Sequence, residues 1–185
     1  MSKVITFSRT FPKGHPREGE PTEFVEKIYN NLGVEYWKKL KYLNIDGLNA
    51  KIVLGSRMPD PVWVFHKSLN DEIKQHKHHT IRQGNRFKVG DKFSPRVWSE
   101  KAYKSPQIIL ANDLVVKSIY EFEIKPNDTN YYLNGKALSY TELKVLAQND
   151  GLSLDDFECW FNVKQFKGQV ICWSEQINYV EQFNL

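Results

Sequence analysis

The strongest constraint on the fold is a change of texture at residue 77. From there on, short β-branched and aromatic runs follow one another, separated by turn-forming residues. HHTIR and FKVGDKFSPRVW predict two strands, with Val89-Gly90-Asp91 as a turn, and PQIILA predicts a third. VVKSIYEFEI predicts a strand that places Val116, Ser118, Tyr120, Phe122 and Ile124 on one face. YYLNGKALS predicts a hairpin around Asn134-Gly135. Two helices follow, SYTELKVLAQND and SLDDFECWFNVK, the second with Ser153 and Asp156 at capping-box spacing. Phe157, Trp160 and Phe161 recur at helical spacing and are expected in the core. QVICWS predicts a last strand, apolar enough to lie inside a sheet.

Upstream the pattern is different. VITF predicts a short strand, and FPKGHPREGEP, with three prolines and two glycines, predicts a loop. Thr22 is placed to cap a helix over EFVEKIYNNL that Gly33 ends. Apolar residues at 34, 37, 40 and 43 predict another helix, Gly55 to Pro61 a break, and SLNDEIKQ a further short helix. The expectation is one α+β domain over residues 1–185. Its strands form a mixed sheet, and residues 29–76 form a mainly helical insertion that could meet a protein partner.

At 41% hydrophobic residues the chain can bury a proper core. No run approaches a membrane span or a signal peptide, so a cytoplasmic protein without membrane contact is expected. Cys159 and Cys172, with no CxxC motif, are expected to be buried thiols. The net charge of +4 is unevenly spread: residues 77–104 hold eight Lys or Arg against Asp91 and Glu100, which leaves −2 for the rest. A basic stretch in a near-neutral chain points to an anionic partner such as nucleic acid, or to a solvated lysine-rich hairpin.

Inside that stretch lies KHHTIR, residues 77–82. His76, His78 and His79 are good ligand types, but positions 78 and 79 face opposite ways on a strand and nothing else completes a ligand set. No metal or cofactor is expected. Glycine-rich phosphate loops and GxSxG elbows are absent. A neutral lysine can take the proton of a threonine hydroxyl and make it a nucleophile. With a free pKa of ~10.4, roughly one lysine in 2,500 is neutral at pH 7, and a nearby cation such as Arg82 raises that fraction. On a regular strand Thr80 and Arg82 share a face while Lys77 and Thr80 do not, so Lys77 must reach in from a loop or bulge.

Several motifs together resemble the ASCH family, whose members have a PUA-like β-barrel fold. They are K-x-x-T-x-R (Lys77, Thr80, Arg82), the following KVGD, the tract RVWSEKAYKSPQ and A-x-x-D-G-x-S-x-x-x-F-x-x-W-F from Ala147 to Phe161. The N-terminal ITF, FP and GEPT-x-F resemble the leader of a bacterial and phage branch; residues 29–76 have no counterpart in it. The resemblance implies a cleft that binds RNA or a nucleotide-derived ligand. One enzymatic branch removes the acetyl group from acetylated cytidine. That branch implies Thr80 as nucleophile, Lys77 as base and Asp150, where the branch has glutamate, as the acid partner. Arg82 would then grip a phosphate or base oxygen, and Trp98 and Tyr103 would stack a base. Arg96, Lys101 and Lys104 would lie along the backbone. His15 lies in the loop of the leader and is a further candidate for that cleft.

Overall fold

Every second residue of the VVKSIYEFEI run is apolar or small, and in the folded chain that face is the buried one: Val116, Tyr120, Phe122 and Ile124 are all in the core. A computed structural model describes residues 2–33, 75–99 and 101–185. The predicted helices over 34–44 and within 68–75, and most of the 29–76 insertion, lie outside the described residues. Two units make up the chain: Lys77–Lys92 with Leu114–Leu185, and Ser2–His76 with Phe93–Asp113. The architecture is mixed α+β, with two sheets and no closed barrel among the described residues.

The second unit begins with β1 (Lys3–Thr6), followed by α1 (Phe24–Leu32). β1 pairs in parallel with β3 (Lys92–Trp98), and β3 pairs antiparallel with β4 (Gln107–Ile109). Helix α1 buries Phe24, Val25, Ile28 and Tyr29, and the Tyr29 hydroxyl donates to the Leu110 carbonyl at 2.7 Å. Thr22 is not its N-cap. Glu23 holds that position in the left-handed region (φ 60°), while the Thr22 hydroxyl donates to the Ser8 carbonyl at 2.8 Å. Gly33 ends the helix as expected, at φ 86°. The proline-rich loop is held by its own side chains: the His15 ring stacks on Phe11 at 4.5 Å, and the Arg17 guanidinium also lies 4.5 Å from that ring.

The first unit carries β2 (His79–Gln83), the two-residue β5 (Leu114–Val115), β6 (Ser118–Ile124), β7 (Tyr131–Leu133), β8 (Lys136–Ala137) and β9 (Phe166–Cys172). Its five-stranded sheet runs β2-β9-β6-β7-β8, so the predicted last strand is internal. Asn134 and Gly135 turn the β7–β8 hairpin with φ of 48° and 82°, the two positive values a two-residue turn of this kind requires. Helices α2 (Tyr140–Asn149) and α3 (Leu154–Trp160) are each opened by a serine. Ser139 and Glu142 form a full capping box, and Ser153 accepts from the Asp156 N–H at 3.1 Å. Phe122 is at the centre of an aromatic cluster, with Tyr131, Phe157, Phe161 and Phe166 at ring distances of 5.3 to 6.1 Å.

Besides the Thr22 cap, three expectations need correction and one element was not expected. FKVGDKFSPRVW is not one strand, because β3 starts only at Lys92. The Gln169 side chain takes both backbone groups of Phe87, at 3.1 and 3.0 Å, so no ladder partner is needed there. Trp160 closes the short helix α3 half-buried, while Phe157 and Phe161 are in the core. Cys159 is exposed on the outer side of that helix, and only Cys172 is buried. Finally, a five-residue helix, α4 (Tyr179–Phe183), follows the last predicted strand and sends Tyr179 and Phe183 into the core.

Candidate functional site

Helix α2 ends where Gly151 adopts φ 79° and donates its N–H to the Gln148 carbonyl. That turn leaves Asp150 as the last helical cap, buried beside the segment that leads into β2. The backbone joins the two: the His78 N–H donates to the Asn149 carbonyl at 2.8 Å, and the Trp173 N–H donates to the His78 carbonyl at 3.2 Å. Lys77 is therefore in the loop before the strand, and only 1% of it is exposed.

Its amine donates to Asp150 Oδ1 at 2.7 Å and to the Asp150 carbonyl. The same Oδ1 lies 3.5 Å from His79 Nδ1. Burial, then the charges of Lys77 and His78, hold the His79 imidazole well below its ordinary value of 6.5, so it is neutral at pH 7. Its ring meets Tyr179 edge-on at 5.8 Å, and the nearby backbone of Leu146 offsets part of that lowering. The Tyr179 hydroxyl accepts from Asn149 Nδ2 at 2.9 Å, and its phenol is raised well above 10.0, chiefly by burial. Directly across the sheet from His79 is Cys172, whose thiol burial pushes up to about 12, a protonated and inert group at neutral pH.

Thr80 is buried too, but the β2–β9 register is unbroken from His79 to Gln83, so Thr80 and Arg82 face away from His79. No hydrogen bond joins the Lys77 amine to the Thr80 hydroxyl among the described residues. The structure thus brings together Lys77 and Asp150, adds His79, and leaves Thr80 with Arg82 on the other face. Among the described residues no group of three His, Cys, Asp or Glu side chains is placed to hold a metal ion. His76 is exposed and His78 half-buried.

The second unit holds the remaining candidates. Ser94, Arg96 and Trp98 share one face of β3, with Gln107 opposite Trp98 and Ile109 opposite Arg96. Arg96 is held flat there, Nε donating to Ser94 Oγ at 3.1 Å and Nη1 to Gln107 Oε1 at 3.2 Å. Trp98 is half-buried, and its ring lies 5.3 Å from that of Tyr103, which is 88% exposed. Tyr103 has φ 62°, a strained region for an aromatic residue. Lys101 and Lys104 flank it, exposed. His15, also in this unit, is buried against Phe11.

His79 is the functional candidate that the motif reading missed. The sequence shows it only as one of three histidines. Part of its cover is Tyr179 of α4, a helix that carried no recognised signal. No protein-family model, curated protein or solved structure matches this chain.

Proposed function

We propose that the chain is a PUA-like, ASCH-type protein that binds single-stranded RNA or a nucleotide-derived ligand, with Tyr103 and Trp98 as the base platform. The observation that carries this reading is Tyr103 itself: a large ring, almost fully exposed, held at positive φ against Trp98 and between Lys101 and Lys104. Little of that ring is buried by folding, whereas an unpaired base stacked on it gains about 1–3 kcal/mol. Arg96 still has guanidinium donors to offer a phosphate, since among the described residues its five N–H groups serve two protein acceptors. Of the eight cations between 77 and 104, Lys77 is neutralised internally by Asp150, so the basic character rests on the other seven.

The test is titration of a labelled single-stranded RNA at several salt concentrations. Tyr103→Ala should weaken binding about 5- to 150-fold. Neutralising Arg96, Lys101 and Lys104 together should flatten the salt slope by up to about 2, at ~0.7 per lost phosphate contact. Unchanged affinity and slope in the triple variant would remove this face from the account.

The convergence of Lys77 and Asp150 supports a second reading, a metal-independent amidohydrolase acting on an acylated nucleoside such as acetylated cytidine. In it Thr80 turns from the opposite face of β2 toward Lys77, which takes its proton; Thr80 attacks the amide carbonyl, Asp150 helps protonate the leaving amine, and water then releases the acyl group from Thr80. Chelator-insensitive deacetylation, lost in Thr80→Ala, is the expected result; full activity in that variant would sink the reading.

A further inference from the structure

Strands β3 and β4 meet at their loop end in the pair Trp98 and Gln107, and the connection that carries Tyr103 begins and ends on that pair. Facing residues of an antiparallel pair keep their side chains on one face, with Cβ atoms about 5 Å apart. Phe93 and Val97 fill the inner face and are fully buried, so Trp98 and Gln107 belong to the outer one, both half-buried. The Gln107 amide therefore lies beside the indole, and the Tyr103 ring lies 5.3 Å from that same indole. A carboxamide has a donor end and an acceptor end of nearly the same shape, so only its partners decide which way it turns. Here the partner decides. A guanidinium has five N–H donors and no acceptor, so the end of Gln107 that meets Arg96 Nη1 at 3.2 Å is Oε1. Arg96 is itself held, since its Nε donates to Ser94 Oγ at 3.1 Å. Gln107 Nε2 is left pointing away from Arg96 with two N–H groups, which no protein acceptor takes among the described residues.

We infer that Gln107 reads the base stacked on Tyr103 and Trp98, and that it selects a keto base, uracil or guanine, over an amino base, cytosine or adenine. The fixed N–H groups donate to a carbonyl oxygen, O4 of uracil or O6 of guanine. Cytosine and adenine carry an amino group at the corresponding position, and two donors that face each other leave both unpaired. Arg96 is a positioning residue in this arrangement. It fixes the direction of the amide while its remaining N–H groups stay available to a phosphate. The inference rests on the first reading above, in which the aromatic pair is the base platform, and adds which bases that platform accepts.

The experiment is titration of the full chain with two labelled, unstructured RNAs of equal length, oligo(U) and oligo(C), at one salt concentration. Their backbones are identical, so the phosphate contacts cancel in the ratio of the two affinities. Oligo(U) should bind about 3- to 10-fold tighter, the worth of one hydrogen bond made rather than blocked. Gln107→Glu turns the donor edge into an acceptor edge and should reverse the preference toward oligo(C), although both affinities fall. Arg96→Met releases the amide and should bring the ratio to about 1 with Gln107 still in place. Equal wild-type affinities that still depend on Tyr103 would overturn the base selection and leave the platform standing. Failure of both RNAs to bind would overturn the platform and the selection together. A preference for oligo(U) that survives Gln107→Glu would overturn the role of Gln107, and a ratio unmoved in Arg96→Met would overturn that of Arg96. The wild-type ratio tests the selection whether or not a variant folds.

Discussion

At the scale of single residues, Asp150 carries the most consequence per atom. Its carboxylate compensates a lysine that is almost fully buried, so its removal differs from the loss of a surface ion pair. Asp150→Ala should cost about 3–5 kcal/mol in urea unfolding, because the Lys77 ammonium is left without its carboxylate. Lys77→Met/Asp150→Leu should recover most of that loss, since it removes the charge as well as its counter-charge. A double variant as unstable as Asp150→Ala would show that the pair acts through something other than charge. The sequence named Lys77 and Asp150 through the resemblance, and the structure pairs them. It could not show that His79 shares the same oxygen, because a histidine next to a threonine reads the same whether its ring meets a carboxylate or solvent.

Among the elements, the β2–β9 pairing supports the site from below, and Gly168 is its tightest point. A Cβ at Gly168 would come within 2.2 Å of the Arg82 carbonyl oxygen and 2.7 Å of the Phe166 ring, the former being backbone that cannot swing aside. Gly168→Ala should therefore cost about 1–3 kcal/mol or more, with lost amide protection along His79–Gln83 in hydrogen exchange. Wild-type protection in that strand would show that the ladder absorbs the methyl group. Elements with strong local signals were legible: the β6 alternation, the Asn134-Gly135 hairpin and the Ser153 cap of α3 all form where predicted. Elements set by long-range contact were not. The Phe87 segment reads as strand, yet the Gln169 side chain takes its backbone groups, and α4 is too short for its pattern to stand out.

At the level of the whole molecule, two buried titratable groups give stability opposing pH dependences. Glu26, in α1, is pushed up from 4.5 to about 8, mainly by burial, with the Glu23 charge adding to it. Between those values the native state keeps a proton that the unfolded chain has lost, so this contribution falls as pH rises. His79 has a depressed value, so below 6.5 the unfolded chain binds a proton that the native state refuses, and stability falls as pH drops. Each slope is at most ~1.4 kcal/mol per pH unit, so the two largely offset each other between about 4.5 and 6.5. Above 6.5 only the Glu26 contribution remains. The urea midpoint should therefore decline from pH 6.5 to 8, and Glu26→Gln should flatten that limb and expose the acid-side decline due to His79. A Glu26→Gln midpoint that declines in parallel with the wild type would assign the limb to other groups.

The amino-acid sequence alone was enough for several features whose physics is local, though not for the cap of α1, where Glu23 and not Thr22 holds the position. Turns that need positive φ, serines that satisfy helix N–H groups and a period of two along β6 all act over a few residues. It was not enough for the choice of which buried polar groups meet. Lys77 and Asp150 are 73 positions apart, and what joins them is the packing of the α2 terminus on the segment entering β2. The same holds for the thiols: Cys159 and Cys172 look alike as letters, yet one faces solvent and the other fills the sheet beside His79. Burial is a property of the assembled core, so the charge state of KHHTIR became readable only once that core had closed around it.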